Sequence, residues 1–175
     1  MKRLLLACIL LAALALPASA AGDLPIRIAG SLDLGNWWSS GVGISAHLAY
    51  TPMIVDGILR VGGGATFELP LGDVSQLAIY ATGIWFPVPT FVKNKKAEWY
   101  DKWYVRANLG FNIPVISDYP DSKGGFYSGW GTGYEVTKAF FLEVLYGHYA
   151  WNYSGWLGAY INGYTVIHLT FGFKI

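Results

Sequence analysis

Thr165-Val166-Ile167-His168-Leu169-Thr170-Phe171-Gly172-Phe173-Lys174-Ile175 closes the sequence, and its reading decides how the rest is understood. Ile167, Leu169, Phe171, Phe173 and Ile175 fall on one face of a period-two repeat, while Val166, His168, Thr170, Gly172 and Lys174 fall on the other. A period of two marks a β-strand with one apolar and one mixed or polar face. At about 3.3 Å per residue, roughly ten residues of tilted strand cross a hydrocarbon core. The stretch predicts a membrane-spanning strand, which is viable only if enough similar strands precede it to close a sheet on itself.

The opposite end reads differently. Met1-Lys2-Arg3, the apolar run Leu4 to Leu16 and Pro17-Ala18-Ser19-Ala20 have the charged, apolar and small-residue regions of a secretory signal peptide, with cleavage expected after Ala20. The run is short of the ~20 apolar residues of a spanning helix. Cleavage removes Cys8, the only cysteine, so the mature chain forms neither a disulfide nor a thiolate metal site. It also removes Lys2 and Arg3, which leaves ten of the twelve basic residues against eleven acidic ones, a formal charge of −1. That balance gives no reason to expect nucleic acid as a partner.

Residues 21–175 suit one domain. The full chain is 54% hydrophobic, 17% aromatic and only 13% charged, with 22 glycines, yet beyond the first segment no apolar run approaches helix-spanning length. A chain of this kind is either a heavily buried globule or a barrel whose outside faces lipid, and the barrel requires the period-two signal many times over.

The signal does recur. Residues 26–35 alternate Ile26, Ile28, Gly30, Leu32 and Leu34 with Arg27, Ala29, Ser31, Asp33 and Gly35. A second strand sets Ile44, Ala46, Leu48 and Tyr50 against Ser45, His47, Ala49 and Thr51. Asp56-Gly57 is a two-residue hairpin signal, leading to Leu59, Val61, Gly63, Ala65 and Phe67 against Arg60, Gly62, Gly64, Thr66 and Glu68. A fourth strand over 76–86 has ambiguous faces, because Ile79 and Trp85 compete with Tyr80, Ile84 and Phe86. After a long connection over 87–101, Trp103 to Ile113 alternates with Tyr104, Arg106, Asn108, Gly110 and Asn112. Residues 125–136 and 140–147 supply two more, joined by Thr137-Lys138, and the final strand brings the expected count to about eight.

An even count places both ends on one side. Outward connections are then expected at 36–42, 69–76, 114–124 and 151–162, and short turns at Asp56-Gly57 and Thr137-Lys138 on the opposite side. The 87–101 connection is longer than that pattern allows.

Gly131-Thr132-Gly133-Tyr134-Glu135-Val136, followed by Phe141-Leu142-Glu143-Val144-Leu145-Tyr146-Gly147, resembles the penultimate hairpin of small eight-stranded outer-membrane barrels of the OmpA transmembrane-domain, OmpX and Ail type. The last strand, Ile167, Leu169, Phe171, Phe173 and Ile175, resembles their C-terminal signal strand, with Ile175 where that family usually has Phe. The resemblance implies an all-β, antiparallel up-and-down transmembrane barrel in the outer membrane of a Gram-negative-type bacterium. It also implies outer-membrane lipid and lipopolysaccharide as surroundings, and the barrel-assembly machinery as a partner during insertion. It supplies no activity.

With the apolar face outward, Arg27, Asp33, Arg60, Glu68, Arg106, Glu135, Glu143, His168 and Lys174 point inward. In a narrow barrel the interior is filled by side chains, and unpaired charge there is costly, so these nine are expected to form an ion-pair network that plugs the lumen. A narrow channel for small solutes, lined by the same groups, is the alternative. Trp37, Trp38, Trp130, Trp151, Tyr153, Trp156 and Tyr160 read as an aromatic girdle or outer-loop aromatics, with a ligand platform in the last four as the competing reading. Lys93, Lys95, Lys96 and Lys102 read as a solvated basic loop.

His148 invites comparison with outer-membrane lipid A deacylases, which use a His-x-Ser pair near the end of the penultimate strand. Here the sequence is His148-Tyr149-Ala150, with Ala at the nucleophile position, and no acidic residue follows Ser154. A serine nucleophile needs a histidine within reach and usually a third group to orient it, so no catalytic residue is expected. His47, His148 and His168 lack metal-ligand spacing, and neither metal nor cofactor is expected. The reading is a non-enzymatic outer-membrane barrel with a structural or surface-interaction role, its extracellular ligand unknown; after the narrow channel, an outer-membrane lipid A deacylase-like hydrolase is the remaining alternative.

Overall fold

The computed structural model describes residues 26–35, 42–70, 74–87, 102–117, 122–155 and 158–175. The expected signal peptide over 1–20 and most of the 87–101 connection lie outside the described residues. Ten strands follow in order: β1 (Ile26–Gly35), β2 (Val42–Tyr50), β3 (Met53–Val55), β4 (Leu59–Pro70), β5 (Val74–Trp85), β6 (Trp103–Ser117), β7 (Ser122–Lys123), β8 (Gly125–Glu135), β9 (Phe140–Gly155) and β10 (Gly158–Lys174). Strands β3 and β7 are short additions to β4 and β9, so eight long staves remain.

Every stave pairs antiparallel with its neighbour in sequence, and β10 returns to β1. That seam runs from Arg27↔Lys174 to Gly35↔Val166, and the backbone N–H of Ile175 donates to the carbonyl of Ile26 at 2.9 Å. The result is a closed, eight-stave, up-and-down barrel. Closure satisfies the edge groups that an open sheet would leave unpaired.

Alternation sorts the side chains. Outward-facing Phe111, Leu109 and Trp130 are 71%, 59% and 62% exposed, while inward-facing Tyr104, Tyr149 and His168 are 0–1% exposed. The polarity is inverted relative to a water-soluble protein, with the apolar face outside and much of the polar face within. Ile167, Leu169, Phe171 and Phe173 lie on the outer face of β10, as do Leu142, Val144 and Tyr146 on β9.

The fourth predicted strand, ambiguous in sequence, is resolved. Gln76, Ala78, Tyr80, Thr82 and Ile84 face inward and Ile79 and Trp85 outward. Both faces read as apolar because the lumen beside β5 is itself partly apolar, with Ile84, Phe86 and Tyr104 in one cluster.

Three connections differ from expectation. The Asp56-Gly57 turn is a three-residue connection over 56–58, with Val55 opposite Leu59 and the Ile58 N–H donating to the Val55 carbonyl at 3.0 Å. Gly57 has φ 65° and no described non-glycine residue has positive φ, so this is not the type I′ turn that Asp-Gly favours. Of the described residues of the expected 114–124 loop, 114–117 and 122–123 are strand, because β6 continues to Ser117 and β7 pairs with β9 through Ser122↔Tyr153 and Lys123↔Asn152. Pro114 sits beside a register shift that leaves Val115 as the extra residue, a bulge where a missing N–H is tolerated.

The 151–162 segment is the third. Trp151 and Tyr153 belong to β9 and Tyr160 to β10, which pair continuously from Phe140↔Phe173 to Gly155↔Gly158. Turn-prone Asn and Gly are carried in strands here because the partner strand supplies the hydrogen bonds, which outweighs weak intrinsic β-propensity. At the other end, Thr137 closes the tight link as expected, its Oγ1 accepting from the Phe140 N–H at 2.9 Å.

A filled polar lumen as the candidate functional site

The inward faces meet in two polar layers with tyrosines between. The lower layer lies toward Ile26 and Lys174, the end with the short turns. Glu143 of β9 is at its centre, accepting from Arg27 Nη2 at 2.6 Å, Arg106 Nη1 at 2.8 Å and the Tyr104 hydroxyl at 2.7 Å. Both oxygens are used, and the carboxylate is fully buried. Arg27 also donates to the Tyr104 hydroxyl and lies over the Phe141 ring, 3.8 Å from its centroid.

Glu135 on β8 gathers the remaining cations, with Lys174 Nζ at 2.5 Å, Arg60 Nη1 at 3.4 Å and Arg27 Nη1 at 3.8 Å. Four cations therefore share two carboxylates in this layer. Arg106 is held on further sides by Thr82 Oγ1 at 3.2 Å, Asn108 Oδ1 at 3.0 Å and the Tyr80 hydroxyl at 3.2 Å.

The upper layer centres on Asp33. Its Oδ1 accepts from Ser31 at 2.7 Å and Ser45 at 3.0 Å, and pairs with His168 Nδ1 at 2.7 Å. The same two serines hydrogen-bond His47 Nε2 at 2.8 and 3.0 Å, and His47 Nδ1 bonds Thr66 at 2.8 Å. Thr66 then donates to the Tyr80 hydroxyl at 3.3 Å, which links the two layers. Tyr127 stacks between Tyr80 and Tyr149 with ring centroids 5.5 and 4.8 Å away. Beyond them Asn112 donates to Gln76 at 2.8 Å.

Serine, histidine and a carboxylate do meet here, but not as a catalytic relay. A triad needs one histidine bonded to the acid through one nitrogen and to the nucleophile through the other. Asp33 instead bonds His168, whereas Ser31 and Ser45 bond His47, and all five residues are 0–5% exposed. The layer joins buried polar groups to one another and presents none of the five at a surface a substrate could reach.

Glycines make the filling possible by omitting a Cβ where a bulky neighbour crosses. A Cβ at Gly133 would lie 2.4 Å from the Tyr104 ring, and one at Gly147 would lie 2.7 Å from His168 Nε2. Gly133→Ala is accordingly expected to displace Tyr104 from Glu143 and cost about 1–3 kcal/mol, the range for overpacking. The check is a lower urea midpoint for the refolded variant at unchanged slope; an unmoved midpoint would mean that the lumen is loosely packed there.

Of the nine residues read from sequence, Arg27, Asp33, Glu68, Arg106, Glu143 and His168 are buried and Arg60, Glu135 and Lys174 half-buried, all inside the barrel. The structure divides them into the Glu143 group, the Glu135 group and the Asp33–His168 pair. Glu68 is on the inner face of β4. The sequence reading missed the polar partners Ser31, Ser45, His47, Thr66, Tyr80 and Tyr104. The same parity carries them, since each falls on the inward register of its strand.

Trp130 is on the outer face in the middle of β8, its ring 5.4 Å from that of Tyr146. Trp37, Trp38, Trp156, Lys93, Lys95 and Lys96 lie outside the described residues, and for Trp151, Tyr153 and Tyr160 only the backbone is described. Lys102 donates to the Val136 carbonyl at 3.5 Å. No group of His, Cys, Asp and Glu suited to a metal ion occurs among the described residues.

No protein-family profile and no curated protein matches the sequence. Among solved structures, the crystal structure of the outer-membrane enzyme PagL is similar, with a TM-score of 0.59 and 14% sequence identity over 85% of this chain and 99% of that one. At that identity the similarity concerns the fold, a small closed barrel; it does not extend to membership of the OmpA, OmpX and Ail group.

Proposed function

We propose that this protein is a non-enzymatic, integral outer-membrane barrel, exported by the signal peptide at 1–20, whose lumen is a structural plug. Its role lies in envelope structure or surface interaction through the connections at the end opposite the short turns. Outer-membrane lipid and lipopolysaccharide surround it, and the barrel-assembly machinery inserts it. The carrying observation is the inverted polarity: an apolar wall around the barrel encloses Arg27, Arg106 and Glu143, each paired and 2–3% exposed. Water would not favour so large an apolar surface, and hydrocarbon tolerates a barrel because its backbone groups are all paired.

The channel reading requires a continuous gap through the two layers; the hydrogen-bonded chain that crosses the lumen from Asp33 to Glu143 supports the plug instead. Planar-bilayer recordings on the purified, refolded protein are expected to show no unitary conductance at any voltage. Reproducible current steps would overturn the plug.

In favour of the enzyme reading stands the fold shared with the outer-membrane enzyme PagL. Against it, His148 is followed by Tyr149-Ala150, and the lumen serines are sealed. Incubation with lipid A is expected to leave its acyl chains intact; deacylation that disappears in His148→Ala would establish the enzyme instead.

A further inference from the structure

Three polar side chains interrupt the apolar outer wall in a single line. His148 on β9 continues the outward parity of Leu142, Val144 and Tyr146, since Gly147 and Tyr149 on either side are buried. Ser128 of β8 is directly opposite it on one side and Thr165 of β10 directly opposite on the other. All three are partly exposed. Opposed Cβ atoms in antiparallel pairs are about 4.5–5.5 Å apart, close enough for such side chains to address one ligand together.

The surroundings of the line are apolar. One outward row toward the short-turn end are Trp130, Tyr146 and Ile167; one row the other way on β8 is Phe126; and Leu109 flanks Ser128 from β6. An ionisable side chain in a hydrocarbon-facing position is costly and marks a functional site by default, together with its polar partners.

We infer that the Ser128–His148–Thr165 line is a binding site for the ester region of a membrane lipid, an inference that rests on the reading above that this wall faces lipid. Hydroxyls and an imidazole N–H donate well to an ester carbonyl. A phosphate site would call on Lys or Arg, and the described outward residues of β8, β9 and β10 include neither. The Trp130–Tyr146 pair lies one row further toward the short-turn end, where the first acyl carbons of a lipid held by its ester carbonyls would run.

The test places the mature chain in nanodiscs of a diester phosphatidylcholine and, separately, in its diether analogue with the same headgroup and chains. Histidine labelled with ¹⁵N and ¹³C is read by NMR, with His47 and His168 in the lumen as internal references. The His148 ring signals are expected to differ between the two lipids while the other two stay fixed. The difference is expected to be largely lost in the Ser128→Ala/Thr165→Val variant and reduced in Ser128→Ala alone. Identical His148 signals in both lipids, or equal movement of all three histidines, would overturn the site. Fatty acid released from the diester lipid, and not released by Ser128→Ala, would make the line catalytic and overturn the binding inference too. A chain that never inserts, seen as the absence of a heat-dependent gel shift, removes the lipid-facing reading as well. An inserted chain with an unresponsive His148 removes only this inference.

Discussion

Glu143→Ala is expected to lower the unfolding free energy by about 3–5 kcal/mol, the cost of stripping the partner from a buried ion pair. Glu143 holds Arg27 through one oxygen and Arg106 through the other, and it accepts the Tyr104 hydroxyl as well. Without it both guanidinium groups remain 2% exposed inside the barrel, and Arg27 keeps the longer 3.8 Å contact with Glu135. The neutral isostere Glu143→Gln keeps the volume and part of the hydrogen bonding, so it is expected to cost less. Adding Arg106→Met to Glu143→Ala should recover part of the loss, because the two effects share one partner and are not additive. Urea unfolding in lipid vesicles, followed by tryptophan fluorescence, provides the check. A shift below about 1 kcal/mol would mean that the lumen charges are solvated and would remove the plug.

The second large effect is expected on the other face. Leu169 occupies the middle of the outward series Thr165, Ile167, Leu169, Phe171 and Phe173 on β10, opposite Leu32 and Val144. In a bilayer, Leu169→Arg is expected to cost about 2–4 kcal/mol, while the same change at Phe173, one residue from the end of the strand, costs about 0–1 kcal/mol. The gradient is the informative quantity. A barrel in water would tolerate arginine equally at both positions, since both side chains are substantially exposed, at 39% and 46%. Equal, small effects at the two sites in vesicles would contradict a lipid-facing wall.

The architecture was legible because β-structure writes its two faces into alternate residues. Arg27, Arg60, Arg106 and Glu143 could be placed on one side from parity alone, and so could Leu169 and Phe171 on the other. Parity fails where both faces have the same polarity, as in β5, where Ile84 inside and Ile79 outside are indistinguishable by hydropathy. It also fails at strand ends, since Pro114 and the Asn- and Gly-rich 151–162 segment carry turn chemistry but are paired by their neighbours.

The organisation of the lumen was less legible. Parity says that a side chain points inward, not at what height or toward which stave. Nothing local to Glu143 indicates that its partners are Arg27, 116 residues away, and Arg106, 37 residues away. The nine inward residues do not form one evenly shared network: four cations gather around Glu135 and Glu143, and Asp33 pairs with His168. The groups His47, Thr66 and Tyr80 that join the layers acquire meaning only once the barrel is closed.

The central claim is a closed barrel spanning a membrane, and the most direct test is electrophoretic mobility before and after boiling of the full chain expressed in a Gram-negative host and recovered from its outer-membrane fraction. The expected result is a faster-migrating band in the unheated sample that converts to the full-length position on boiling, because a closed barrel resists unfolding by detergent. A band that does not shift, from protein that is extracted without detergent, would contradict the account.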